Sequence, residues 1–217
     1  MKRSVKETVV RLLILLVGLT VAHFGVTLFI LANQGTDPFN VLVQGVFRSL
    51  DTVLDHSLLT HGNVHMTLCL LIIVALLFID RSYIKIGTVV CMAAGGPIID
   101  LFTLLLSPLF PDKPSLWLAI PMLVVACAIL AFGMTIVIKS DAGTGPNDLV
   151  AVVTADKLKR KFSIVRIIVD ALFVLIGWLL GGSVGLGTVV CVALVGPVAG
   201  LFLPINGKWI GKVIEKV

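Results

Sequence analysis

Apolar residues in this chain come in long unbroken runs, separated by short charged or Pro/Gly-rich breaks. Leu12 to Ala32 contains no Asp, Glu, Lys or Arg. A bilayer core about 30 Å thick takes about 20 such residues in a helix, so this run predicts a first span. The same pattern predicts a second from Val64 to Ile79, closed by Asp80-Arg81. A third runs from Tyr83 to Leu106, ended by Pro108 and Pro111, and a fourth from Leu116 to Ile138. The uncharged stretch from Ala171 to Gly207 is too long for one span. Gly181-Gly182-Ser183 places a turn inside it, which gives a fifth helix near Ile164–Leu180 and a sixth near Val184–Leu203. Two shorter segments, Pro38–Leu50 and Pro146–Leu158, each open on proline, a favoured first helical residue. At about 13 residues they suit re-entrant or interfacial helices better than spans.

Composition agrees. Hydrophobic residues make up 58% of the chain and charged residues 13%, against about 45–50% and about 25% in soluble domains, which excludes a water-soluble globular enzyme. The net charge of +5 invites a nucleic-acid partner, but the Lys and Arg flank the apolar runs. With six spans and a cytoplasmic N-terminus, 15 of the 17 basic residues fall inside and only Arg48 and Lys113 outside, as orientation by positive charge requires. The expectation is a multi-pass protein of a bacterial inner membrane with both termini cytoplasmic and no nucleic-acid partner. Counting the short segments as spans changes the split only to 14 against 3, so length decides for six. The first run exceeds the 7–15 apolar residues of a signal peptide, and Ile30 stands where an A-x-A-like cleavage site needs a small residue. Cys69, Cys91, Cys127 and Cys191 lie inside apolar runs without a C-x-x-C pair, which favours packing over metal or redox chemistry.

The two halves resemble each other. Gly25-Val26-Thr27-Leu28-Phe29-Ile30 and the following Gly35-Thr36-Asp37-Pro38 return, 108 positions on, as Gly133-Met134-Thr135-Ile136-Val137-Ile138 and Gly143-Thr144-Gly145-Pro146. Gly87-Thr88-Val89-Val90-Cys91, Gly96-Pro97 and Leu101-Phe102 return 100 positions on as Gly187-Thr188-Val189-Val190-Cys191, Gly196-Pro197 and Leu201-Phe202. Three spans per half is an odd number, so the halves, residues 1–110 and 111–217, are expected to have opposite orientations. The expected fold is all-α: six transmembrane helices in two inverted three-helix repeats, plus two short helices, forming one integrated membrane domain. Inverted repeats recur in secondary transporters, with sites at the repeat interface near the bilayer midplane.

The paired Gly-Thr-x-Pro motifs and Gly-Thr-Val-Val-Cys blocks resemble bacterial YitT/YczE/YyaS-type membrane proteins over nearly the whole chain. With the sequence stopping at Val217, the likeness is to the short branch without a C-terminal soluble domain. The resemblance implies a six-helix inner-membrane protein and supplies no binding residues.

Gly96-Pro97 and Gly196-Pro197 fall near the middle of spans three and six. Proline removes a backbone donor and clashes with the carbonyl four residues back, so they mark either broken helices lining a central site or packed kinks between small residues. Asp100, one turn on from Gly96, is an acidic residue inside a span, which marks a relay, a cavity or a bonded protonated acid. Asp170 lies four residues after Arg166, on one helix face, as an interfacial ion pair or a gate residue. The Gly-Thr-x-Pro loops can cap the short helices through Thr, with Pro in the first turn and Asp37 or Asp148 complementing the positive end of the helix dipole. If those helices re-enter, Asn40, Thr144 and Asn147 become solute contacts. His61 and His65 have i,i+4 spacing but lack further ligands for a metal, and His23 is expected to bond a neighbouring helix. There is no H-E-x-x-H and no P-loop, and the spans hold too few polar groups for a catalytic set. No enzyme, cofactor or metal is expected. The expectation is a secondary transporter of a small solute in the lipid bilayer; the alternative is a non-transporting membrane scaffold or regulator.

Overall fold

The structure, a computed structural model, describes residues 4–51, 61–111 and 114–216; the side chains of residues 51, 61–63 and 100 also lie outside the described set. Eight α-helices follow in order among the described residues: α1 (Val5–Ala32), α2 (Pro38–Asp51), α3 (His61–Ile79), α4 (Ile86–Leu106), α5 (Leu116–Ser140), α6 (Pro146–Lys157), α7 (Phe162–Leu179) and α8 (Leu186–Ile214). Five of them (α1, α4, α5, α7 and α8) are long and apolar enough to cross a bilayer, and α3 carries the shorter apolar stretch Val64–Ile79. Large apolar side chains such as Phe78, Leu104 and Trp117 point outward. In water such a surface would aggregate; in hydrocarbon it faces its solvent.

Helix ends depart from the apolar runs wherever a cap or a partner absorbs a polar residue. α1 begins at Val5 rather than Leu12, because Ser4 Oγ accepts from Glu7 N (3.0 Å) and Arg11 Nε pairs with Glu7 (2.7 Å). α4 begins at Ile86 rather than Tyr83, after a 3₁₀ turn at Arg81–Tyr83. α8 runs to Ile214, past the expected end at Leu203. Buried Asn206 Nδ2 donates to Thr135 Oγ1 (2.6 Å) and Phe132 O (3.2 Å), and Trp209 Nε1 donates to Asn206 Oδ1 (2.8 Å).

α1 and α5 form the central pair and run antiparallel, since Arg11 Nη1 near the start of one donates to Ser140 O at the end of the other (2.9 Å). Small residues allow the close approach: a Cβ on Gly133 would sit 2.2 Å from Ala22 N and 2.6 Å from Gly18 O. Phe29, Leu123, Met134, Cys191 and Val195 extend this core to α8, while Leu15, Leu19 and Cys91 tie α1 to α4. The four free cysteines are buried, as expected of packing residues.

The loops after α1 and α5 have matching geometry. Asn33 and Asp141 end their helices in the left-handed region (φ 47° and 55°), followed by Gly35 (φ 99°) and Gly143 (φ 144°). Each loop reaches into the other half. Gly187 N at the start of α8 donates to Gln34 O (2.7 Å), and Gly87 N at the start of α4 donates to Ala142 O (2.9 Å). A Cβ on Gly35 would lie 2.7 Å from Gly185 N, and one on Gly143 would lie 2.4 Å from Thr88 N. Only glycine combines these φ values with that proximity.

One end of the bundle is tied by charge. Asp141 accepts from Lys85 and lies 3.6 Å from Arg11, Lys157 Nζ pairs with Asp80 (2.6 Å), and the Tyr83 hydroxyl donates to Asp156. At the other end, Ser49 Oγ and Arg48 Nη1 on α2 donate to Leu180 O (3.0 Å) and Gly181 O (2.5 Å) in the α7–α8 turn.

Candidate functional site

The short helices fold back over the long ones. Ala151 and Ala155 of α6 pack on Val165 and Val169 of α7, while Leu149 and Val153 pack on Leu76 of α3. α2 lies against α7 so closely that a Cβ on Gly45 would meet Gly177 O at 2.2 Å. Whatever the start of α6 carries is therefore pressed against α7.

It carries charge. Arg166 Nε donates to Asp170 Oδ2 (2.8 Å), and its Nη1 donates to Asp148 Oδ1 in the first turn of α6. Arg166 and Asp170 are buried, with Asp170 fully enclosed. Asn147 Nδ2 donates to Asp148 Oδ1 (3.2 Å). The charges of Asp148 and Asp37 both act on Asp170 and on His23, so with Arg166 five acidic or basic groups from α1, α6, α7 and the α1–α2 loop are electrostatically linked. Asp37 caps α2: its Oδ1 accepts from Asn40 N (3.3 Å) and its Oδ2 from Asn40 Nδ2 (2.7 Å).

Four buried oxygens have no hydrogen-bond partner among the described residues: Thr36 Oγ1, Thr88 Oγ1, Thr144 Oγ1 and Asp170 Oδ1. Three of them belong to the duplicated motifs. The fourth motif threonine, Thr188, donates to Thr36 O (2.7 Å). Enclosed oxygens without partners are exceptions in proteins, and here they gather on the repeated sequence.

Several expectations need correction. The Arg166–Asp170 pair forms as the i,i+4 spacing expected, and it is buried inside the protein, with Asp148 of α6 bonded to the same guanidinium. Gly96-Pro97 and Gly196-Pro197 do not break their helices, since α4 and α8 continue through them. Gly96, Pro97 and Pro197 face outward, and only Gly196 is buried, close to Ser163 O. The reason is rotational. Thr88, Cys91 and Gly95 form the inward stripe of α4, and two further residues carry Pro97 about 200° round the helix. Gly96 and both prolines therefore face away from the core, while Gly196 packs on α7. Nor does Thr cap the short helices: the N-cap of α6 is Gly145, without a side-chain cap, and Asp37 serves α2. His23 Nδ1 bonds Leu19 O on its own helix (2.8 Å), not a neighbour, with Gly95 leaving room at its other nitrogen. Asp100 lies on α4, but its side chain is outside the described residues, as are those of His56 and His61; His65 stacks edge-on with Phe39. Of the expected contacts, Asn147 and Asp170 are in the cluster, Asn40 adjoins Asp37, and Thr144 holds one of the unpartnered oxygens.

Two concavities lie elsewhere. An apolar groove of about 470 Å³ between α7 and α8 includes Trp178 and Val192, and a smaller one near Arg11 and Lys85 lies at the charged end; neither is lined by Arg166, Asp148 or Asp170. Gly181-Gly182-Ser183-Val184-Gly185 matches the G-x-S-x-G spacing, but it joins two helices, whereas the nucleophile elbow needs a strand before its turn.

The sequence pointed to Asp170 but missed Asp148 as its partner through Arg166. An arginine and two aspartates near one apolar segment were the available signal; only the fold of α6 onto α7 joins them.

Apolar helices with outward hydrocarbon surfaces define an α-helical, multi-pass membrane protein. The chain belongs to DUF6198, a family of unknown function, whose model matches residues 9–204. It is 25% identical over 200 residues to the uncharacterized membrane protein YczE of Bacillus subtilis, covering 92% of this chain and 88% of that one. It is 24% identical over 195 residues to the B. subtilis protein YyaS (87% and 90%) and, also over 195 residues, to an uncharacterized protein of Haemophilus influenzae (90% and 84%). The expected kinship with the YczE/YyaS group is thereby established. No solved structure matches the chain.

Proposed function

We propose that the chain is a secondary transporter of a small solute, built from two inverted repeats, with its site around Arg166, Asp148 and Asp170. Both termini lie in the cytoplasm, on the side of Lys85, Lys157 and Asp141. The buried charged cluster carries the reading. Charges enclosed in a membrane bundle are costly and mark pathways and relays, and replacing a buried ion cluster by apolar residues is often neutral or stabilising. A bundle that only scaffolds a partner has no use for it. The antiparallel α1–α5 pair and the reciprocal docking of each loop on the other half support the inverted arrangement; the cluster itself is built from α6 and α7 of the second half.

The test is flux. Full-length chain in vesicles loaded with a pH-sensitive dye is challenged with pools of amino acids, amines, organic acids and sugars. At least one pool should move the internal pH beyond protein-free vesicles, and Asp148→Asn should cut that rate at least tenfold. Flux from no pool, or flux unchanged in Asp148→Asn, would return the chain to the scaffold reading.

A further inference from the structure

We infer that Asp170 Oδ1 is the binding atom for a single monovalent cation, a proton or an alkali ion, beside the Arg166 pairs that join α7 to α6. The inference deepens the transport reading by naming the ligand that drives it, yet its test requires no flux, so the two fail separately.

Charge gives the first argument. Arg166 is a single positive charge shared between two carboxylates, Asp148 and Asp170. Asp37, ahead of α2, adds a further negative charge whose field also reaches Asp170. The charged or titratable groups whose fields reach Asp170 or are reached by it are Asp148 of α6, Asp37 of the α1–α2 loop and Cys191 of α8, with Arg166 on α7 bonded to it directly. The enclosure therefore holds more anionic than cationic groups, in a medium where charge is poorly screened.

The second argument is independent of the charge count. Asp170 is fully buried, its Oδ2 is taken by Arg166 Nε, and its Oδ1 has no partner among the described residues. An ionised carboxylate oxygen can only accept, so what completes it is a donor or a cation, and the excess of carboxylates over Arg166 favours one that brings positive charge. Thr144 Oγ1, four residues before Asp148, and Thr88 Oγ1, beside the close approach of Gly143, are likewise enclosed and unpartnered. Carboxylate oxygens are ligands that hard cations prefer. Anions are excluded by the same set, since Arg166 is already engaged twice. A divalent ion is disfavoured because no cluster of three metal-ligating His, Cys, Asp or Glu occurs among the described residues.

Melting of the full-length chain in detergent tests this, with Na⁺, K⁺ and H⁺ as the probes. Choline chloride keeps ionic strength constant while Na⁺ or K⁺ replaces choline, and pH is varied from 5.5 to 8.5 in choline alone. At tenfold its dissociation constant the bound cation should raise the melting temperature by about 3–6 °C. A response to Na⁺ or K⁺ identifies an alkali ion, and a response to pH alone identifies a proton. Asp170→Asn, nearly isosteric and unable to ionise, should lose the response. Modification of the wild-type chain by dicyclohexylcarbodiimide, mapped by mass spectrometry, keeps the test independent of that variant's folding. Labelling at Asp170 should fall with the alkali ion or rise as pH drops. A wild-type melting temperature indifferent to all three probes, a response preserved in Asp170→Asn, or labelling at Asp170 that is absent or unchanged would each overturn the inference.

Discussion

Replacing Arg166 by methionine isolates the energetics of the buried cluster. The guanidinium is 7% exposed and bonds two carboxylates, one of them Asp170 at 1%. Removing it leaves both without their cation, and Asp170 Oδ2 joins Oδ1 as an enclosed acceptor without a partner. Breaking a buried pair from one side costs about 3–5 kcal/mol. At about 2–4 °C per kcal/mol for a chain of this size, the melting temperature should fall by about 6–20 °C. The triple variant Arg166→Met/Asp148→Leu/Asp170→Leu removes the charges together. It should melt at or above the wild type, because full replacement by apolar groups is neutral or stabilises by about 1–4 kcal/mol. Tryptophan fluorescence during thermal unfolding in detergent measures all three proteins, and the vesicle assay should find the triple variant folded but without flux. A single variant melting within about 2 °C of wild type, or a triple variant melting as low as the single, would refute the argument that this cluster is kept for function at a cost to stability.

Gly133→Ala should destabilise the chain by about 1–3 kcal/mol, since its Cβ would press on Ala22 N. Gly96→Ala, where no atom lies within 4 Å of the added Cβ, should leave melting unchanged or raise it; equal effects would contradict the α1–α5 crossing. The single tyrosine, Tyr83, should titrate at about 12 instead of near 10, because its hydroxyl donates to the charged Asp156. Its folded value is raised, so the stabilisation is complete below pH 10 and lost as pH rises towards 12. Phenolate absorbance reads this directly, and Asp156→Asn should bring the midpoint back towards 10. Asp80 is held below the usual carboxylate range by hydrogen bonds from Lys157 and then Ser82, so its contribution is present above about pH 4 and fades only on stronger acidification. Lys157→Ala should raise the Asp80 titration towards the ordinary carboxylate range by NMR, the Ser82 bonds holding it partly down. Cysteines at Ser49 and Lys159 should react with impermeant reagent from outside and from the cytoplasm respectively; reaction of both from one side would break the proposed topology.

Much of this architecture was legible in the order of residues, for a reason specific to membranes. Hydrocarbon forces a span to satisfy its own backbone bonds within one helix, so an apolar run of sufficient length names its structure without knowledge of its neighbours. The runs at 12–32, 116–138 and 164–180 needed nothing else, and the identities offset by 108 and 100 positions paired the motifs of the two halves without coordinates. Prolines 38 and 146 opened their short helices as the sequence expected. Hydropathy could not say which way a residue turns within a span. Gly96-Pro97 and Gly196-Pro197 had the composition of a central site, yet Gly96 and both prolines face outward, because helical rotation relative to neighbours depends on packing. The sequence could not join Asp148 to Arg166 either, since they sit on different helices and meet only because α6 folds back on α7. Nor could it show that the threonines of the repeated motifs would be enclosed, because the Gly35 and Gly143 loops cross to the opposite half before burying them. The apolar run fixes each helix through its solvent, but the polar site depends on contacts between helices, and those exist only in the folded bundle.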